Sequence, residues 1–237
     1  MEWDGASRLV TLIDDSYATT VDKILQGETR NLKFGGYSWR VLDTEDDHAL
    51  LITEYVIEDR RQYNKEFVNT TWETSYLRTY LNGKFLQTFS KEEQEDILET
   101  QISTLGNVWY DIDGGNDTQD KIFVLSLEEA DRYFGDSGDY LNSRIKVRVE
   151  NGEYIDLTEK NKDTYYSYTD FFSNAYDSER VAADPRDPIG WARGWWLRSP
   201  GNSDDSATFI TSDGSAIVSG CAVYNYCGVR PAIWLKL

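Results

Sequence analysis

Side chains suited to nucleophilic, redox or metal chemistry are scarce in this 237-residue chain, which holds one histidine and two cysteines. His48 follows two aspartates in a polar turn between two predicted strands. A catalytic triad or a histidine-based metal site would depend on this one imidazole, so we interpret His48 as a solvated turn residue. Cys221 and Cys227 are too few for a disulfide framework. A bridge across a hairpin stays open as an alternative, and a metal site would need more ligands.

The acidic loop 110–120 is dense enough in oxygen ligands to be considered for Ca²⁺. Its carboxylates include Asp111, Asp113 and Asp117. Their spacing is not that of an EF-hand, and Gly114-Gly115 also fits a plain turn, so we predict no metal and keep Ca²⁺ as the alternative. The chain has no glycine-rich phosphate loop, and its 42 acidic residues single out no catalytic carboxylate pair. We therefore expect no enzymatic activity and no cofactor.

The net charge of −18 argues against nucleic acid as a partner, because phosphate binding depends on Lys and Arg. It also disfavours an anionic membrane surface. The first residues lack the basic start and apolar core of a signal peptide, and no apolar run approaches the roughly 18 residues of a membrane span. We expect a soluble protein without membrane insertion, cytoplasmic or phage-borne.

The hydrophobic patterns predict an α+β fold of antiparallel strands with peripheral helices. Strands are predicted at 32–43 and 49–57, on either side of the polar turn Thr44–Asp47, and at 121–126. A second hairpin, Arg144–Thr158, turns at an Asn-Gly pair within a polar, irregular region. Without a clear linker, we predict a lead-in, residues 1–31, followed by one domain, residues 32–237.

Helices are predicted from apolar spacing and from capping residues. The Thr71–Phe89 segment carries a helical pattern that we expect to stop at Asn82-Gly83. Ser90 with Glu93 forms a capping box in front of another helix. Two further helices are predicted at Tyr17–Leu25 and Leu127–Phe134.

The C-terminal part consists of predicted strands around a segment of unusual composition. Asn202–Cys227 contains no Lys, Glu, Gln, Met or Trp, although these types make up 42 of the other 211 residues. Segments containing Arg, Pro and Trp flank it: one holds Trp195, Trp196, Arg198 and Pro200, the other Arg230, Pro231 and Trp234. We interpret the flanks as a buried frame, with arginines held by acids or carbonyls, and the segment between them as a displayed surface.

The ending WWLRSPG…GVRPAIWLKL resembles the C-terminal signature of variable proteins from diversity-generating retroelements. Upstream, FGGYSWRVLD, TWETSYLRTYLNG, GGNDTQDKIFVLS and LEEADRYFGDSG resemble a bacterial domain family that often carries such endings. The resemblance covers Leu32–Leu237 and implies a C-type lectin-like fold, related to the formylglycine-generating enzyme domain. It further implies a variable region at about 198–230.

In that family the gene segment is rewritten with random replacement of template adenines. An AAC or AAT codon changed only at its adenines cannot encode Lys, Glu, Gln, Met or Trp, the five types missing from Asn202–Cys227. Carried over by position, the resemblance implies these variable, ligand-binding residues: Asn202, Ser203, Asp204, Asp205, Ser206, Phe209, Thr211, Ser212, Asp213, Ser215, Ser219, Cys221, Tyr224, Asn225, Tyr226 and Cys227. Ala207, Ile210, Gly214, Ile217, Gly220 and Gly228 would be framework.

We therefore expect a non-catalytic protein that recognises a protein or cell-surface ligand through a hypervariable surface. Phe209, Tyr224 and Tyr226 would be its aromatic anchors, and Asp204, Asp205 and Asp213 would favour a basic patch on the target. One alternative is a carbohydrate-binding lectin-like module, with or without Ca²⁺, although the Glu-Pro-Asn and Trp-Asn-Asp motifs of such sites are absent. Another is a formylglycine-generating-type oxidase, which needs a paired-cysteine copper site.

Overall fold

The computed structural model describes residues 20–107, 110–134, 171–172, 177–187 and 189–237, and it confirms an α+β arrangement dominated by antiparallel sheets. Within these ranges no helix is both long and apolar enough to cross a membrane. The predicted hairpin Arg144–Thr158 lies outside the described residues, as do the first three residues of the predicted helix Tyr17–Leu25. Its remainder is helical over 20–25, named α1.

A four-stranded antiparallel sheet joins the beginning of the described chain to its end. The strands are β1 (Asn31–Phe34), β2 (Tyr37–Glu45), β3 (His48–Thr53) and β14 (Ala232–Lys236), in the order β1-β2-β3-β14. Gly35 and Gly36 have φ angles of 57° and 78°, which allow the two-residue turn between β1 and β2. The predicted hairpin at Thr44–Asp47 is confirmed, whereas the strand predicted at 32–43 is divided into β1 and β2 by the Gly35-Gly36 turn. The C-terminal strand β14 forms the edge of the sheet beside β3.

The helix predicted to stop at Asn82-Gly83 continues past both residues. Helix α2 (Tyr76–Tyr80) runs on through a π turn, Leu81–Phe85, and a 3₁₀ turn, Leu86–Thr88. The Asn82 amide donates to the Ile122 carbonyl at 2.8 Å and accepts the Lys121 and Ile122 amides at 2.9 and 3.0 Å. Asn82 thus joins the helix to the neighbouring chain, a tertiary role that overrides its local tendency to end a helix.

In the middle of the chain, two helices begin at capping boxes, and one predicted strand does not form. Helix α3 (Lys91–Asp96) starts at Ser90 and Glu93 as predicted, and α4 (Leu127–Tyr133) has the same cap at Ser126 and Glu129. The predicted strand 121–126 is not a regular strand. A short pair, β5 (Thr100–Ile102) and β6 (Thr118–Asp120), precedes it, and Phe123 makes only an isolated bridge to Ala232.

The second sheet has six strands and carries the segment of unusual composition. Its strands are β4 (Glu58–Gln62), β13 (Tyr226–Val229), β10 (Trp195–Pro200), β11 (Ser206–Ile210), β12 (Ala216–Ala222) and β7 (Phe171–Phe172), in that order. All pairs are antiparallel except a parallel contact of Trp195 with Gly228. Helix α5 (Asp177–Arg180) and the pair β8 (Ala182–Ala183) and β9 (Ala192–Arg193) lie before β10.

The core lies between these elements and is rich in tryptophan. Trp39, Trp72, Trp195 and Trp196 are each no more than 1% exposed. Ile24, from the predicted lead-in, is also buried in this core, and β1 begins at Asn31. Residues 20–31 therefore pack with the domain that we predicted to begin at residue 32.

Candidate functional site

Arg198 on β10, which is 3% exposed, forms an ion pair with the half-buried Glu129 on α4. The Arg198 guanidinium binds both carboxylate oxygens of Glu129, and it also donates to the carbonyls of Val124 and Ser103 at 2.9 and 3.1 Å. Burial raises the pKa of the Glu129 carboxyl, but the charge and hydrogen bonds of Arg198 outweigh burial and hold that pKa below its ordinary value. Strand β10 is thereby fixed to α4.

Arg230 performs the same role at the other flank and is fully buried. Its Nε donates to the Thr53 carbonyl at 2.7 Å, and its guanidinium carbon lies 5.1 and 5.3 Å from the ring centroids of Phe134 and Trp195. Burial and, to a smaller extent, the Arg40 cation lower the pKa of Arg230 to about 9 against the opposing effect of Glu54. The prediction of a frame with arginines held by acids or carbonyls is confirmed.

Gly220 and Gly228 occupy positions that other residues would strain. Gly220 has φ +70°, and a Cβ there would lie 2.4 Å from the Ala207 carbonyl oxygen. A Cβ at Gly228 would lie 2.4 Å from the Gly194 carbonyl oxygen. These contacts suit the framework role expected of both glycines, because neither position has room for exchange.

The sixteen expected variable residues differ in exposure. The exposed ones are Asn202, Asp204, Ser212, Asp213, Tyr224, Asn225 and Tyr226; Ser203, Asp205, Phe209, Thr211, Ser219, Cys221 and Cys227 are half-buried; Ser206 and Ser215 are buried. Of the expected framework residues, Ala207, Ile210, Gly214 and Gly228 are buried, whereas Ile217 and Gly220 are half-buried. Exposure therefore separates the two expected groups only in part.

The exposed variable residues lie at two ends of the β11–β12 hairpin. Ser206 pairs with Ala222 at one end and Ile210 with Ala216 at the other. A strand rises roughly 3.3 Å per residue, so the two ends are roughly 13 Å apart. Loops 201–205 and 223–225 leave from the first end, and loop 211–215 leaves from the second. The structure thus divides the expected surface into two parts.

The first part is the loop-end surface, defined here as Asn202, Asp204, Tyr224, Asn225 and Tyr226. Main-chain groups hold its loops: the Asp204 carbonyl accepts the Thr70 amide at 2.7 Å, and the Asn202 amide donates to the Ser219 carbonyl at 2.8 Å. The neighbouring Val223 amide donates to the Asp205 carbonyl at 2.9 Å, and Gln62 Nε2 donates to the Tyr224 carbonyl at 2.6 Å. Because these bonds use the main chain of 202–226, they do not depend on which side chains these positions carry.

The second part, around loop 211–215, uses its side chains to build its own turn. The Thr211 hydroxyl donates to the Asp213 carboxylate, which also accepts the Ser215 amide at 3.1 Å. These two hydrogen bonds, that of Thr211 first, lower the pKa of Asp213. In the first loop, Ser206 is engaged similarly, because its Oγ accepts the Ser203 amide at 3.0 Å. At these positions exchange would remove a local hydrogen bond.

Sequence reasoning missed a neighbouring segment, Arg60–Asn69, that borders the loop-end surface. Phe67 and Val68 are 60% and 48% exposed, and the Phe67 ring meets the Tyr224 ring edge-on at 5.1 Å between centroids. The Arg60 guanidinium lies 5.7 Å from the Tyr226 ring centroid. Tyr224 and Tyr226 are themselves 44% and 62% exposed, so an exposed aromatic patch extends across both segments. The signal in the sequence was the apolar pair Phe67-Val68 within a polar stretch.

Phe209 and the two cysteines pack against the core instead of projecting into solvent. The Phe209 ring meets Trp196 at 6.2 Å between centroids. Cys221 and Cys227 are free thiols, so the bridge left open by the sequence is not formed. Burial raises the pKa of Cys221 to about 11 and that of Cys227 to about 12. These protonated thiols lack the reactive character that a redox site needs.

The other chemically suggestive residues do not assemble into a site. Among the described residues, no group of three or more His, Cys, Asp and Glu side chains is placed to hold a metal. Asp113 accepts the Gly115 amide at 3.0 Å, Asp117 accepts from Gln101 at 2.8 Å, and Asp111 adopts φ 59° in the loop. His48 starts β3 and contacts Asp47 at 3.2 Å. It belongs to the four-stranded sheet, whereas both cysteines belong to the six-stranded one.

Comparison with known proteins gives one match. The model of a family described as Domain of unknown function (DUF6273) matches residues 46–237. No curated protein and no solved structure matches the chain.

Proposed function

The chain belongs to the DUF6273 family, and we propose that it binds a protein ligand non-covalently through the loop-end surface. The observation that carries this proposal is the support of exposed side chains by main-chain hydrogen bonds at Asn202, Asp204 and Tyr224. Such a surface keeps its shape when its side chains change. A preorganised loop also loses little conformational entropy on binding, which favours affinity.

Tyr224 and Tyr226 are the anchors of the proposed interface. Both are exposed, and tyrosine supplies a large amphipathic contact at a low entropic cost. Phe67 and Val68 extend the patch with side chains from outside the segment of unusual composition. Asp204 adds a carboxylate at the edge of the patch, which favours a basic group on the ligand. Phe209 and Asp213, by contrast, are proposed as supporting residues, because one packs on Trp196 and the other closes a turn.

We further propose that Asn202–Cys227 is diversified by a retroelement on a C-type lectin-like domain. Two features support this. The segment lacks the five residue types that adenine replacement in AAC or AAT codons cannot produce. It also lies between β10, which is buried throughout, and β14, which is mostly buried, and these strands fix both of its ends. Sequencing the gene's neighbourhood tests the proposal: a reverse transcriptase gene and a template repeat with adenines at the variable codons are expected, and their absence would refute diversification.

Joint exchange of the five loop-end residues tests the binding surface. Replacing Asn202, Asp204, Tyr224, Asn225 and Tyr226 with other types reachable from AAC or AAT is expected to change the melting temperature by less than about 5 °C, because exposed substitutions cost little. The matched framework variant Ile210→Thr, at a fully buried position, is expected to lower the melting temperature by about 5–12 °C. Differential scanning calorimetry measures both changes.

Binding itself is measured with a display library randomised at the same five positions and selected against a panel of purified proteins. Selected clones are expected to bind their targets and to melt near the parent temperature. A sharp fall in melting temperature on exchange, equal to that of Ile210→Thr, would show that these side chains belong to the core and would overturn the proposal.

A further inference from the structure

A group of polar and aromatic residues outside the segment of unusual composition lies on β4, α2 and the loop between them. Its members are Glu58, Arg61, Lys65, Tyr76 and Tyr80. Asn64 joins this group to the loop-end surface, because its side-chain Oδ1 accepts the Tyr76 main-chain amide at 3.3 Å and its main-chain amide donates to the Val223 carbonyl at 2.8 Å. Tyr224, one of the loop-end residues, follows Val223 in the chain.

Glu58 fixes the orientation of Arg61. Arg61 Nε donates to one Glu58 oxygen at 2.5 Å, and the Tyr80 hydroxyl donates to the other. The Arg61 guanidinium carbon also lies 3.4 Å from the Tyr80 ring centroid, in stacking contact. With its Nε and one face occupied, the guanidinium donates from Nη1 to the Tyr76 hydroxyl at 3.4 Å.

Lys65 adds a second cation beside Tyr76. Its Nζ lies 4.0 Å from the Tyr76 ring centroid, and among the described residues no carboxylate lies within ion-pair distance of it. Arg61 and Lys65 thus both lie against Tyr76, and of the two Arg61 is the one paired with a carboxylate, that of Glu58. Burial raises the pKa of Tyr76, but the Arg61 hydrogen bond and the Lys65 charge outweigh burial and lower it. The surroundings of this hydroxyl thus favour negative charge.

We propose that Arg61, Lys65 and the Tyr76 hydroxyl form a carboxylate-binding subsite that stays constant while the neighbouring loop-end residues change. Guanidinium, ammonium and phenol groups are the donors that carboxylates accept in proteins, and Glu58 holds the first of them in place. The subsite binds an acidic side chain on the ligand surface. The identity of that ligand as a protein rests on the proposed function, whereas carboxylate binding by the subsite does not.

A titration of the full chain with a small carboxylate tests the subsite. The probe is N-acetyl-aspartate α-amide, with the neutral N-acetyl-asparagine α-amide as its matched control. In protein labelled at tyrosine, the NMR resonance lost in Tyr76→Phe identifies Tyr76. This resonance is expected to shift on titration with a millimolar dissociation constant, and to move little with the neutral amide.

Lys65→Gln is expected to weaken the probe's affinity by about threefold to tenfold, because it removes an exposed charge-assisted contact. Lys91→Gln, at an exposed lysine on α3, is the control and should leave the affinity unchanged. Equal affinity in wild type and Lys65→Gln, or an equal loss in Lys91→Gln, would overturn the subsite. The five-residue loop-end exchange should leave this titration unchanged, so failure of the subsite and failure of the proposed function are distinguishable.

Discussion

The surroundings of individual side chains determine whether their ionisable groups are charged and reactive. Cys221 and Cys227 are half-buried thiols whose pKa values are raised to about 11 and about 12, chiefly by burial. A redox or copper site requires thiolates, so two cysteines in one segment do not by themselves make such a site. Arg198 and Arg230 also depend on their neighbours. Hydrogen bonds to main-chain carbonyls and to the Glu129 carboxylate offset the cost of burying the two charges.

Thiol alkylation measures this effect at the residue scale. At pH 8 Cys221 and Cys227 in the folded protein are expected to react with iodoacetamide about 100-fold and about 1,000-fold more slowly than a thiol whose pKa is about 9, because the thiolate fraction falls about tenfold with each unit of pKa. Mass spectrometry of time points gives both rates, with the protein in denaturant as the control. Folded-state rates equal to those in denaturant would contradict the raised pKa values.

At the scale of elements, the β11–β12 hairpin separates the loop-end surface from the 211–215 turn. Ala207 pairs with Cys221 across this hairpin, and the register shifts between Ala207 and Phe209. Gly220 lies next to that pair with φ +70°. The irregularity places the hairpin end where loops 201–205 and 223–225 meet, so the backbone at Gly220 positions the loop-end surface.

Gly220→Ala is expected to destabilise the protein by about 2–4 kcal/mol, because its Cβ would meet the Ala207 carbonyl at 2.4 Å in a left-handed conformation. Gly83→Ala is the matched control: no atom lies within 4 Å of its added Cβ, and the position is helical. This variant is expected to be neutral or to gain up to about 1 kcal/mol. Urea unfolding measures both changes. A Gly220→Ala variant as stable as the wild type would show that the hairpin accommodates a Cβ at this position.

At the scale of the whole molecule, the beginning and the end of the described chain pack into one folded unit. Strand β14 pairs with β3, and the helical residues 20–25 reach the same core through Ile24. The described residues before position 32 are therefore part of the folded unit, and the segment Asn202–Cys227 is held between elements from both halves of the chain.

Ile24→Ala tests the contribution of the first described helix. Ile24 is 3% exposed, so truncation is expected to cost about 2–4 kcal/mol in the free energy of unfolding. Its neighbour Leu25 is 49% exposed, and Leu25→Ala is expected to change the free energy by less than about 0.5 kcal/mol. Denaturant unfolding compares the two. Equal, small effects would place the folded boundary after this helix, where the sequence pattern had suggested it.

Local signals in the sequence were sufficient where short-range interactions decide the structure. The capping box at Ser90 and Glu93, the hairpin at Thr44–Asp47 and the strands flanking the segment of unusual composition follow from neighbouring residues alone. Asn82-Gly83 misled, because the Asn82 amide is satisfied by Ile122, a partner forty positions away. The strand expected at 121–126 failed similarly, since its apolar residues enter the core without a continuous strand partner.

The sequence by itself determined the α+β class, the buried arginine and tryptophan frame and the location of the segment of unusual composition, because composition and local periodicity encode burial. Only the tertiary structure decided which of that segment's residues are exposed. It separated the loop-end surface from the 211–215 turn and brought Phe67, Lys65 and Tyr76 to the same region. Contacts such as that of Thr70 with Asp204 join positions far apart in the chain, and no local pattern specifies such a pair.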